Sequence, residues 1–181
     1  MENNTKNTLI ITALFAESNQ ADSAYQSLLE SGISKDNISL VMSDYAHQGS
    51  LSEADKTQAA DSGGRGALLG GAAGGITAAV AAVATNIALP GLGIVFVGPL
   101  LAGLAGAAGG AIAGGAIGAM VGNGFPKEQA ELYDAKIREG SFLVSVNPDN
   151  LLQNDSIINI FRKNNGYNIY IHYGSDTGQP A

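Results

Sequence analysis

From Gly66 to Pro126 the chain carries no Asp, Glu, Lys, Arg or His, although 9 basic and 16 acidic residues are spread over the rest of its 181 positions. A stretch of that kind needs cover for its apolar surface, from lipid, from the rest of the chain or from other copies. Its glycines are in phase. Gly106, Gly110, Gly114, Gly118 and Gly122 recur every fourth residue, and Gly66, Gly70, Gly74, Ala78 and Ala82 repeat the spacing earlier. A glycine weakens a helix by about 1 kcal/mol relative to alanine. Residues at i and i+4 stack on one helix face, so each row floors a shallow groove. Small residues so placed let two backbones approach until dispersion and Cα–H···O contacts replace side-chain packing. These ten residues are therefore the expected helix-packing and oligomerisation positions.

"PGLG" at 90–93 separates two segments, Gly66–Leu89 and Ile94–Gly122, and the expectation is a helical hairpin with its turn there. As helices they reach about 36 and 43 Å, against a hydrocarbon core of about 30 Å. Arg65 and Lys127 flank the ends, which would leave both termini on one side of a bilayer, the cytoplasmic one. A second small row, Gly71–Gly75 and Gly109–Ala113, leaves small surface over after one contact and points to oligomerisation.

The flanks read differently. Thr8–Phe15 has the apolar, β-rich character of a central strand, a better account of "NTLIITALFAES" than a signal peptide. Ala21, Ala24, Tyr25, Leu28 and Leu29 follow at helical spacing, Gly32 sits where a C-terminal glycine belongs, and "ISLVMS" is a second strand. Beyond the charge-free stretch, Pro126 opens a helix through "KEQAELYDAKIRE", which Gly140 closes, and "SFLVSV" is a third strand. Asn154 or Asp155 caps a helix carrying Ile157, Ile158 and Phe161, with Gly166 at its end. "YNIYIHY" is a fourth strand, with Tyr167, Ile169, Ile171 and Tyr173 on one face.

The order β-α-β, insert, α-β-α-β fits a ferredoxin-like α+β fold, a four-stranded sheet with helices, interrupted by the inserted Gly/Ala-rich hairpin and with one extra helix before the third strand. The expected organisation is 1–43 as the first half of that domain, 44–65 as a polar linker, 66–125 as the hairpin, 126–173 as the second half and 174–181 as a disordered tail.

Several function classes are excluded or unsupported. A net charge of −7 with scattered basic residues argues against nucleic acid. Zero cysteines removes disulfides, thiolate metal sites and cysteine nucleophiles. No Gly-Lys pair allows a phosphate loop, and Phe96 stands where a GxGxxG pattern in "PGLGIVFVG" needs its third glycine. His47 and His172 have no metal-ligand spacing, and Glu128, Glu131 and Asp134 read as a solvated helix face rather than an acid–base pair. No catalytic, cofactor, metal or small-molecule site is expected.

"GISKDNISLVMSD" after an amphipathic helix, and "FPKEQAELYDAKIREGSFLVSVNPDN" followed by "IINIFRKNNGYNIY", resemble the two halves of the bacterial general-stress and low-temperature-induced protein family. The resemblance covers nearly the whole chain. It implies a stress-linked bacterial protein with a ferredoxin-like domain and an Ala/Gly-rich hydrophobic insert, and it brings no catalytic residues with it. Three expectations follow. The first is a non-enzymatic stress-associated protein that self-associates through the glycine rows and is anchored in the lipid bilayer. The second is a soluble homo-oligomeric assembly, a shell or filament, in which hairpins of many copies bury one another. The third is a ferredoxin-like domain that binds or transforms a small molecule on its sheet face.

Overall fold

The computed structural model describes residues 8–43, 87–88, 94–98, 117–118, 120–122 and 124–174. Six strands, β1 (Thr8–Phe15), β2 (Ile38–Ser43), β3 (Ile87–Ala88), β4 (Ile94–Val97), β5 (Phe142–Val146) and β6 (Tyr167–Gly174), form one sheet in the order β3-β4-β2-β5-β1-β6. Every neighbouring pair is antiparallel. With helices α1 (Ser18–Glu30), α2 (Lys127–Arg138) and α3 (Asn154–Lys163) the fold is α+β.

Side chains alternate across a strand, and here both faces are covered. Leu9, Ile11, Ala13 and Phe15 of β1 join Ala21, Ala24 and Leu28 of α1 and Ile157 and Phe161 of α3 in one core. Ile10 and Leu14 face the other way, into a second core with Ala130, Tyr133 and Ile137 of α2 and with Met120 and Phe125. Burial on both sides explains why "TLIITALF" and "FLVSV" are near-continuous apolar runs instead of alternating ones. The helices therefore form two layers, α1 and α3 on one face and α2 on the other.

The insert departs from expectation. Residues 94–97, read as the start of a membrane-length helix, are a strand paired to β2 through Leu40↔Val97, Val41↔Phe96, Met42↔Val95 and Ser43↔Ile94. The helix expected to end at Leu89 likewise gives way to β3, which pairs with β4, so "PGLG" lies between two paired strands. "IVFV" is β-branched and aromatic, and at the open edge of β2 it gains ladder hydrogen bonds while burying all four side chains. The expected 66–125 hairpin is corrected to that extent, and its last residue, Phe125, belongs to the second core. Gly98 ends β4 at φ +97°, where a Cβ would meet the Ile38 carbonyl oxygen at 2.5 Å.

Smaller corrections have local causes. Pro126 is the N-cap of α2 rather than inside its first turn, and its carbonyl accepts from the Ala130 amide at 2.9 Å. Neither Asn154 nor Asp155 caps α3: its N-cap position is Gln153, without a side-chain cap bond, and the Asn150 side chain, accepting from the Leu152 amide at 3.0 Å, caps the 3-10 turn Leu151–Gln153 ahead of it. The left-handed residue closing α3 is Asn165, at φ 61°, and Gly166 follows it. An extra β6 residue between the Thr12 and Leu14 pairings, with Asn168 at φ 48°, turns Tyr167 to the opposite face from Ile169, Ile171 and Tyr173. Gly174 belongs to β6, paired with Thr8, instead of the tail. Gly32 and Gly140 stand at the helix ends expected of them, at φ 88° and 103°. The linker at 44–65 and the tail beyond Gly174 lie outside the described residues.

Candidate functional site

The polar groups buried deepest lie on the sheet face beneath α2. Register alone lines them up: Ser39 of β2 stands opposite Ser145 of β5, which stands opposite Thr12 of β1, which pairs with Tyr170 of β6. Ser39, Ser145 and Thr12 are all buried, in a sheet that is otherwise aliphatic at its centre. Above them α2 brings down Ala130, Tyr133 and Ile137, spaced i, i+3 and i+7 as a core-facing stripe requires.

The Tyr133 hydroxyl lies 2.6 Å from Thr12 Oγ1, and Thr12 Oγ1 donates to the Tyr170 carbonyl at 3.3 Å. With that direction fixed, the phenol is the donor of the first bond, and a relay runs from α2 through β1 to β6. Burial raises the Tyr133 pKa above the ordinary 10.0. The phenol is therefore a neutral donor throughout the physiological range. Phe125 fixes the far end, with its ring centroid 5.9 Å from that of Tyr133 and 4.0 Å from that of His172, which stacks in turn near Tyr170.

This arrangement positions α2 and offers little chemistry. Hydroxyls, a neutral phenol and a buried imidazole are held in a closed core, with no carboxylate in the row. Among the described residues no group of His, Cys, Asp and Glu is placed to hold a metal ion. Two acidic residues of α2 form ion pairs along the helix: Glu131 with Lys127 at 3.6 Å, exposed, and Asp134, whose side chain is largely covered, with Arg138 at 2.8 Å. His172 is buried on the opposite face from Ile171, and His47 lies outside the described residues.

Of the ten helix-packing positions, Gly66, Gly70, Gly74, Ala78, Ala82, Gly106, Gly110 and Gly114 lie outside the described residues. Gly118 and Gly122 fall on a stretch that is helical at 117–118 and 120–122. Met120 and Ile117 of that stretch pack into the second core, whereas Gly118 and Gly122 are only partly buried and Val121 between them is exposed. The small row is thus not the surface that holds this stretch to the sheet. Among the described residues no helix is long and apolar enough to cross a membrane. The hydroxyl row was not legible in advance, because Thr12, Ser39 and Ser145 meet through register between distant strands and share no local motif.

Comparison of the chain with known protein families, with characterised proteins and with solved structures gives no match.

Proposed function

We propose that this chain is a non-enzymatic, stress-associated bacterial protein that assembles with copies of itself, using a ferredoxin-like domain to display its Gly/Ala-rich segment. The domain reading is supported by strand order. Without β3 and β4 the sheet runs β2-β5-β1-β6, all antiparallel, with α1 and α3 as crossovers on one face and α2 as an added helix on the other.

One observation carries the assembly reading. The charge-free segment is tied to the sheet in its middle, by β3 and β4, and again at Met120 and Phe125, while Gly118 and Gly122 are only partly buried. In sequence, residues 99–116 connect Gly98 to Ile117, and both of those neighbours belong to the described domain. As one helix they would reach about 27 Å, roughly one hydrocarbon core, and a single crossing would strand Ile117 across the bilayer from Val97. Both ends belong to one domain, which favours the soluble assembly over the spanning hairpin. Other copies are then the cover that a charge-free segment of this composition requires.

Sedimentation velocity on the full chain and on Gly114→Leu/Gly118→Leu tests this. Leucine at those positions fills the groove that backbone contact needs. The expected outcome is a large particle for the parent and a several-fold smaller one for the variant. Equal masses would overturn the reading.

A further inference from the structure

The sheet has two unequal ends. At one lies β3, two residues long; at the other lies β6, eight residues long, with no strand outside it among the described residues. Natural edge strands are usually blunted by lysine, proline, bulges or shortness. "YNIYIHYG" has no Lys, Arg, Asp, Glu or Pro, and its bulge at Asn168 lies near its start, leaving 169–173 regular. Ile171 is 44% exposed and Tyr173 58%, both on the α1/α3 side of the sheet.

We infer that β6 is a homodimer interface, pairing antiparallel with β6 of a second copy across a two-fold axis at Ile171. A two-fold sets like against like, which a chain of net charge −7 tolerates best along a strand without charge. In this register Ile171 faces its counterpart and Ile169 faces Tyr173 on one side of the sheet, while Tyr170 faces His172 on the other. Every pair joins aromatic, aliphatic or imidazole side chains, the kind that stabilise cross-strand contacts. A two-fold contact uses the same strand of both copies and leaves neither copy's β6 open for further addition. The contact therefore closes at two. It uses no glycine-row residue, so it stands independently of the assembly proposed above.

The chain has no cysteine, so Ile171→Cys introduces a single thiol. Across the axis two such residues lie about 5 Å apart, whereas Tyr173 and its copy are separated by about 14 Å, four strand rises. Treated with a short bismaleimide, full-length Ile171→Cys should give several-fold more covalent dimer than Tyr173→Cys or than Glu128→Cys on the exposed side of α2. That yield should persist when Gly114→Leu/Gly118→Leu is added. Cross-linking at Ile171→Cys no greater than at Glu128→Cys would overturn the inference. So would its loss in the glycine variant, since proximity would then come from the other contact.

Discussion

Tyr133 sits at the head of a relay in which each hydroxyl has one role: the phenol donates to Thr12, and Thr12 donates to the Tyr170 carbonyl. Removing the first donor and removing the middle member have different consequences. Tyr133→Phe leaves Thr12 still bonded to the carbonyl and should lower unfolding free energy by about 1 kcal/mol. Thr12→Val leaves the buried phenol without its acceptor and should lower it by about 1–3 kcal/mol. Urea denaturation should therefore order the variants with Thr12→Val as the less stable. Ionisation sharpens the point. Because burial raises the folded-state pKa of Tyr133 above 10.0, the neutral phenol's contribution is complete below that pH and is lost as pH rises through the folded value. Stability of the parent should decline in strong alkali, and Tyr133→Phe should decline less steeply. Tyr25, also raised by burial, keeps some of the slope in both.

The elements with strong local signals formed as their sequences indicate. Thr8–Phe15 and Ile38–Ser43 are strands to the residue, and "SFLVSV" is one but for Ser141, because β-branched runs with both faces buried have little alternative. The helix ends at Gly32 and Gly140 were equally legible. What stayed hidden depends on long-range pairing. "IVFV" sits in a glycine- and alanine-rich context that reads as helix, and the vacant edge of β2 is what draws it into the sheet. The Asn168 bulge, which turns Tyr167 over, is likewise set by register against β1. The hydroxyl row of the candidate site was illegible for the same reason. Gly98 makes the attachment of β4 testable. Alanine there would be strained at φ +97° and would drive its Cβ against the Ile38 carbonyl. Gly98→Ala should destabilise the chain by more than about 1 kcal/mol and should speed amide exchange at Val95 and Val97 ahead of the β1–β5 pairing. Unchanged exchange there would mean that Gly98 does not hold the edge.

At the scale of the molecule two materials are joined in one chain: a charged α+β domain and a charge-free segment pinned to its sheet in the middle and near its end. Because the surfaces proposed to meet carry no charge, the assembled mass should hardly change between about 0.05 and 1 M salt, a range over which the Debye length falls to about 3 Å. An assembly held by ion pairs would dissociate over that range, as light scattering would record. The central claim is that other copies, not lipid, cover the apolar segment. Its most direct test is to fractionate expressing cells, wash the membrane pellet with alkaline carbonate and float the washed material through a density gradient. The account predicts that the protein is released, or pellets as dense particles without lipid. Protein that floats with the bilayer and leaves it only in detergent would contradict it.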